Sequence, residues 1–395
     1  MRIEIFPSKT GDSFLISYGN HYEKHILIDG GYLDTYTNYI KQRLLALKTL
    51  SQSLELAIVS HIDQDHIIGI LHLIKENGNS NSPNVIEIKE VWHNSYKHIQ
   101  NTKNKLERNT PEEAILDDII RSGFLSNTEH EKKISAYDGS MLASYLYEGN
   151  YNWNTLFNNN AIHKNNLNEI KKDEDLKIIV LSPSLEDLDN LKKSWEKQLK
   201  RRKMSFNFAS GKKFDDAFEF FMLRKESEIL SGHPCSYKTD ENWDNISFPP
   251  EDKSITNMSS IAVILETKKS KALFLGDSNP SQILESLIFL REQKGYCLNF
   301  DIIKISHHGS IRSTSTELIE LIDGKKWIFT GTGKNNKPSE ELVKYILEKK
   351  KHYFKEMIFS ECIEWVENLK ILENKYCCKI ITPSTEGNLI ILREE

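Results

Sequence analysis

Three observations predict an α/β fold. Short apolar runs at Leu54 to Ser60, Ala272 to Gly276 and Phe300 to Ser306 read as buried strands. Stretches with helical spacing, among them residues 37–53 and Ile67 to Lys75, lie between the strand signals. The first of these strands runs into a group of Asp and His side chains, the second into an Asp and the third into two His, and α/β sheets place their ligands at the C-terminal ends of strands.

The bulk numbers set the frame. The chain has 395 residues, enough for a large core with insertions. A hydrophobic content of 38% and a charged content of 28% describe an ordinary globular chain. A net charge of −5 excludes a surface coated in positive charge, although a local basic patch can still hold phosphates. No apolar run approaches a bilayer span, so no membrane contact is expected. Glu4 and Pro7 interrupt the N-terminus, which therefore does not read as a signal peptide. The cysteines, Cys235, Cys297, Cys362, Cys377 and Cys378, are scattered and odd in number, which fits a reducing, cytoplasmic compartment.

Element by element, Arg2 to Phe6 reads as a strand. Ser13 to Tyr18 and His25 to Asp29 form a predicted hairpin, closed off by Gly30-Gly31. Val85 to Trp92 returns to strand pattern, and Leu176 to Leu181 is a buried strand. Ser184, three residues before Asp187, opens a helix with a capping-box-like pattern. Ser260 to Glu266 and Trp327 to Thr330 are further strands, and residues 379–392 suggest a last hairpin. One domain is expected, with insertions at about 93–170 and 204–255 and a C-terminal extension from about 340.

The segment His61-Ile62-Asp63-Gln64-Asp65-His66 carries the strongest chemical signal. Four potential ligands occupy six residues between a strand and a helix. His61 and Asp63 alternate, so an extended tip points both to one side. Asp65 and His66 fall at the helix start. Imidazole nitrogens with carboxylate oxygens suit a divalent metal, and burying them unpaired would be costly without a cation. A polar loop with Asp65 as helix cap needs only one or two such residues. Gly276-Asp277 and His307-His308-Gly309-Ser310 end the two later strands and complete the set.

The pattern His-x-Asp-x-Asp-His, then Gly-Asp, then His-His-Gly-Ser resembles the metallo-β-lactamase superfamily. It is most similar to the branch of the soluble hydrolase domain of ComEC/Rec2 DNA-uptake proteins. Gly11-Asp12-Ser13, Leu27-Ile28-Asp29-Gly30-Gly31, Leu181-Ser182-Pro183 and Asn257-x-Ser259-Ser260 agree with it, and the resemblance covers residues 1 to about 340 apart from the insertions. It implies a four-layer αββα sandwich holding two divalent metal ions, zinc or manganese. His61 and Asp63 would hold the first, Asp65, His66 and His307 the second, and Asp277 would bridge them. Either His of the 307–308 pair can ligate. His308, as the other member, would protonate a leaving oxygen, bind a phosphate or make a supporting hydrogen bond.

Three departures are specific to this chain. Asp63 stands where most of the superfamily has His, which tilts preference from zinc towards manganese or magnesium. The superfamily's further His has no clear counterpart; His93 is the first candidate, ahead of His163 and His233. Lys337-Pro338 stands where related sequences often carry His-Pro.

The expected activity is metal-dependent hydrolysis, with Asp65 and His308 as catalytic residues and a water activated between two metals. A phosphodiester is the favoured substrate, which makes nucleic acid a candidate partner. An ester or lactone hydrolase of the same fold and a degenerate binding or signalling module are the alternatives. Lys192 to Lys203 is a basic run with Trp195 inside it, suited to a nucleic-acid backbone, but acidic residues at its helix start make dipole complementation the simpler reading. The aromatic stretch Tyr145 to Asn160 either lines a cleft or packs an insertion onto the core.

Overall fold

The computed structural model describes residues 1–99, 138–164, 169–201, 248–384 and 390–393. Within them the chain is mixed α/β, with two sheets and several helices. The first sheet contains β1 (Arg2–Ile5), β2 (Phe14–Tyr18), β3 (Lys24–Ile28), β4 (Ser53–Ile58) and β5 (Val91–Trp92). The second contains β6 (Glu169–Lys171), β7 (Lys177–Ser182), β8 (Ala262–Glu266), β9 (Lys271–Phe274), β10 (Asn299–Lys304), β11 (Asp323–Phe329), β12 (Lys355–Phe359) and β13 (Cys378–Ile381). The last strand, β14 (Ile390–Arg393), returns to the first sheet. The orders are β14-β1-β2-β3-β4-β5 and β13-β12-β11-β10-β9-β8-β7-β6.

The predicted hairpin is present, with Phe14 opposite Ile28 across β2 and β3. β4 lies parallel to β3 on its other side, and β9 to β13 run parallel in the second sheet. The carboxyl ends of β4, β9 and β10 are where the three Asp/His groups begin.

Strand alternation explains the cores. Ile16, Ile26 and Ile58 from the first sheet meet Val180, Phe274 and Ile302 from the second in one buried cluster. The rings of Phe14 and Phe274 pack edge-on at 5.4 Å across it. Residues of opposite parity face the other way. Leu15, Leu27 and Ala57 pack against α1 (Lys41–Thr49), α2 (Gln64–Asn77), α3 (Asp138–Glu148) and α4 (Leu185–Arg201) through Leu44, Ile70, Leu142 and Leu188. Ile179, Leu273 and Ile303 pack against α5 (Pro280–Lys294), α6 (Thr316–Leu321), α7 (Glu340–Lys349) and α8 (Glu364–Leu369) through Leu287, Leu318, Ile346 and Val366. Each fully buried aliphatic chain contributes about 1.5–3 kcal/mol of burial.

Close backbone contact fixes α2 against the turn after β3. Gly30 N–H donates to His66 O at 2.7 Å, and Gly69 N–H donates to Gly31 O at 3.0 Å. A Cβ on Gly30 or Gly69 would strike the backbone of the other segment. This contact brings His66 beside Asp29.

Local readings hold at Ser184, where Asp187 N–H donates to Ser184 Oγ at 3.1 Å and Ser184 N–H to Asp187 Oδ2 at 2.9 Å. Two readings change. Of Val85 to Trp92, only Val91–Trp92 forms a ladder. Val85, Ile86 and Ile88 are buried, and Asn77 Oδ1 accepts the N–H groups of Val85 and Ile86, each at 2.9 Å. The side-chain amide thus takes the place of a neighbouring strand at Val85 and Ile86, and pairing with β4 begins at Ile88, which bridges Leu54. Residues 379–392 are not a hairpin: β13 pairs with β12 in the second sheet and β14 with β1 in the first. Apolar alternation marks a strand but does not name its partner, and here both strands find long-range edges. The chain from 340 onward thereby supplies α7, α8, β12, β13 and β14.

The aromatic stretch packs inward at Tyr151 and Trp153, both buried with the first helical layer, while Tyr147 and Leu156 stay exposed. Of the basic run, Lys193 pairs with Asp189 at 2.6 Å, and the side chains from Ser194 to Lys203 lie outside the described residues. So do His233, Cys235 and most of the 204–255 segment. No helix among the described residues is long and apolar enough to cross a membrane.

Candidate metal centre

The first ligand group forms where β4 stops and α2 starts. Asp63 occupies the N-cap position in extended backbone, yet its carboxylate caps none of the helix N–H groups. It faces His61 instead, with Oδ2 3.4 Å from His61 Nε2. A polar loop with a helix cap does not account for that choice, since a capping Asp normally accepts an N–H from the first turn.

The imidazoles share one arrangement. Each is held through Nδ1, so Nε2 is presented to the centre. His61 Nδ1 lies 3.0 Å from Ser60 Oγ. His66 Nδ1 lies 2.9 Å from Asp29 Oδ2, and the same carboxylate accepts Ser60 N–H at 2.8 Å and Ser60 O–H at 2.6 Å. His308 Nδ1 lies 3.1 Å from Asp12 Oδ1. Fixing one nitrogen of a metal-binding His in this way sets its tautomer and orientation.

The free ends converge on Asp277. Its Oδ1 is 3.4 Å from His66 Nε2, and its Oδ2 is 3.7 Å from His61 Nε2 and 3.6 Å from His308 Nε2. His308 Nε2 is also 3.4 Å from Asp65 Oδ2. Asp277 is positioned by Ser260, whose Oγ accepts its N–H at 3.0 Å, while Ile261 N–H reaches across to Ser60 O at 2.9 Å. The two sheets therefore meet at the centre.

The His307-His308 pair sits on an unusual turn. His307, His308 and Gly309 all take left-handed backbone, with φ of 50°, 58° and 85°. Two bulky residues in that region carry strain of order 1–3 kcal/mol each. The turn sends the two rings different ways. His308 enters the buried cluster. His307 stays nearer the rim, its Nδ1 2.9 Å from Ser313 Oγ and its Nε2 3.5 Å from Asp277 Oδ2. Lys337 Nζ makes a short contact with that same Nε2.

Burial sharpens the electrostatics. His61 Nε2, His66 Nε2, Asp63 Oδ1 and Asp277 Oδ1 are buried with no hydrogen-bond partner. Orphaned polar atoms of this kind are costly unless a cation joins them. Ligands about 2.0–2.1 Å from a tetrahedral ion stand roughly 3.4 Å from one another, close to the separations seen here. The residues fit a metal. One ligand atom each from Asp12, His66, Asp277 and His308 falls within 4.8 Å of the others. Asp12, though, is already engaged: Thr330 donates to Oδ1 at 2.6 Å and Lys304 contacts Oδ2. It anchors His308, and Asp65 takes the place facing inward.

Protons stand in for cationic charge. Burial opposes a charged His66, but Asp277, Asp29 and Asp65 overcome it and raise its pKa well above the usual value. Burial likewise opposes the charged forms of His61 and His308, and neighbouring carboxylates raise both. Burial works against ionised Asp65, yet His66 and His308 hold it down to about 2. Burial also opposes charge on Asp277 and Asp12; the imidazoles, with Lys304 for Asp12, keep both well below the carboxylate range. His307 differs: burial and Lys337 lower it to about 4 against the pull of Asp277.

His61, Asp63, Asp65, His66, Asp277 and His308 thus come together, with His307 at the rim. His93 instead lies with its ring parallel to Trp153 at 6.0 Å. His163 is half-buried in the segment before β6. The supporting set, Asp12, Asp29, Ser60, Lys304 and Thr330, has no ligand spacing in the sequence. The only signal for Asp12 and Asp29 is their place in the short Gly-Asp-Ser and Asp-Gly-Gly motifs. Comparison with known proteins finds no family model that matches the chain and no curated protein that matches it.

Proposed function

We propose that this protein is a metal-dependent hydrolase of the metallo-β-lactamase fold, similar to the ComEC/Rec2-like branch, acting on a phosphodiester. The observation that carries the reading is the set of buried, unpartnered atoms around Asp277, with three imidazoles tied back through Nδ1. The two face-to-face sheets with helices on each outer side support a four-layer αββα sandwich. His61 and Asp63 would hold one divalent ion, Asp65, His66 and His308 the other, with Asp277 between them. His308 takes the ligand role in this scheme, because Lys337 already contacts the Nε2 of His307. Such ions, when bound, supply a Lewis acid that makes water nucleophilic near neutral pH and offsets charge on the attacked group.

The chain's own residues do the rest. Asp63 and Asp65 keep 27% and 23% of their side-chain surface exposed, against 3% for Asp277. The centre therefore opens past these two carboxylates, and a substrate reaches it from their side. Asp65, with its charged form favoured, can orient a water and accept a hydrogen bond from it. Three carboxylates among the ligands favour a hard ion such as manganese over zinc, and a hard ion suits phosphoryl oxygen.

The test is elemental analysis of the purified protein, followed by cleavage of bis-p-nitrophenyl phosphate with manganese. Asp277→Asn should lose metal and at least roughly 10²-fold in rate. An Asp277→Asn protein as active as the parent would sink the hydrolase reading. The Lys337–His307 contact favours a second reading, a binding module without catalysis. Full metal loading with no turnover of phosphodiesters, esters or lactones would select it.

A further inference from the structure

Lys337 is a cation at the rim of this carboxylate-rich centre, placed against one of its imidazoles. Lys304, the deeper cation, is committed to Asp12. Lys337 Nζ contacts His307 Nε2, and no carboxylate of the described residues is paired with it. An ammonium has three N–H donors and no acceptor. One donor is directed at the imidazole, which leaves two.

The placement is built. Gly333 N–H donates to Lys337 O at 2.9 Å and Lys337 N–H to Lys334 O at 3.2 Å, which closes the loop. Ser339 N–H donates to Gly309 O at 2.9 Å, pinning the loop to the turn that carries both histidines. A Cβ on Gly309 would come within 2.8 Å of Pro338, so only glycine lets the two segments lie this close. His307 is in turn held by Ser313 at 2.9 Å. A lysine serving only solubility needs none of these constraints.

Position gives the chemistry. His307 Nε2 lies 3.5 Å from Asp277 Oδ2, so Lys337 stands one imidazole away from the middle of the centre. An ammonium cannot ligate a cation, and it repels one. It does bind oxyanions, and charge-assisted hydrogen bonds of that kind are stronger than neutral ones. We infer that Lys337 is an anion-binding residue, held by His307, that takes a non-bridging oxygen of a phosphoryl group as the substrate meets the centre. The inference rests on the hydrolase reading and narrows it: the substrate carries negative charge beside the bond that breaks, and neutral esters and lactones lose this contact.

The experiment measures binding of inorganic phosphate to the full-length, metal-loaded protein by ³¹P NMR titration, beside metal content per chain. Lys337→Met should weaken phosphate binding roughly tenfold or more. Lys337→Arg should restore it to within about threefold, and metal content should stay the same in all three proteins. For bis-p-nitrophenyl phosphate, the Met variant should show its loss in KM more than in kcat. Thermal unfolding of Lys337→Met and Lys337→Gln verifies that each is folded. Unchanged phosphate affinity in both folded variants overturns the inference. So does extra metal in the Met variant, because Lys337 would then be occupying a cation position. The two readings fail separately: phosphate binding that depends on Lys337 without any turnover removes the hydrolase, and turnover that depends on Asp277 with Lys337-independent phosphate binding removes the anion contact.

Discussion

His66 shows how much of this centre is decided at single atoms. Its Nδ1 is given to Asp29 at 2.9 Å, so Nε2 has no choice but to face Asp277. Asp29 itself sits in left-handed backbone at φ 55°, a region that Asn also tolerates. Asp29→Asn therefore keeps the backbone and removes only the charge and one acceptor oxygen. Manganese affinity should fall roughly 10- to 100-fold in that variant while the fold stays intact. Competition with a chelator, next to a circular-dichroism spectrum, measures both; unchanged affinity would remove Asp29 from the centre. The sequence made His61, Asp63, Asp65 and His66 readable because all four fall within six residues. It could not rank His307 against His308, since neighbouring residues in left-handed backbone send their rings apart in a way no spacing encodes. Nor could it find Lys304 and Thr330, whose role exists only once β10 and β11 stand side by side near Asp12.

At the level of elements, the legible parts were those with local causes. The β2–β3 hairpin is a short loop between alternating strands, and the start of α4 is a reciprocal bond between Ser184 and Asp187. The parts that changed had distant causes: Asn77 on α2 claims the backbone of Val85 and Ile86, and β13 and β14 part to opposite sheets. The turn from His307 to Ser310 belongs to the second kind. It joins β10 to the Lys337 loop, and Gly309 is where they touch, at φ 85° with Pro338 against the missing side chain. Gly309→Ala should cost about 1–3 kcal/mol through backbone strain alone, more if the loop is pushed away. Denaturant unfolding gives the stability, and metal titration of the same sample tells whether His308 has moved. A variant as stable as the parent would show that the turn relaxes without glycine.

Across the whole molecule, the centre joins segments that are far apart in sequence and belong to different sheets: Asp12, Asp29 and His61 to His66 on the first, Asp277 and His308 on the second. A bound ion therefore cross-links the two sheets and should stabilise the folded chain by mass action, by about 2.7 kcal/mol at a hundred times Kd. The protons on the ligands give this gain a direction in pH. His66, His61 and His308 have folded pKa values raised from 6.5. Their contribution to the metal-free protein is complete below 6.5 and is lost as pH rises through the raised values. Asp65 runs the other way: lowered from 3.8 to about 2, it contributes above 3.8 and its share disappears as pH falls towards 2. Metal binding must expel the imidazole protons, so affinity strengthens as pH rises. Metal-free and manganese-loaded stability should consequently diverge as pH rises above 6.5, the first falling and the second holding or rising. Urea unfolding at stepped pH, with chelator or with manganese, follows both curves. Parallel curves would mean that these histidines do not exchange their protons for a metal, and the shared centre between the sheets would have to be explained by hydrogen bonding alone.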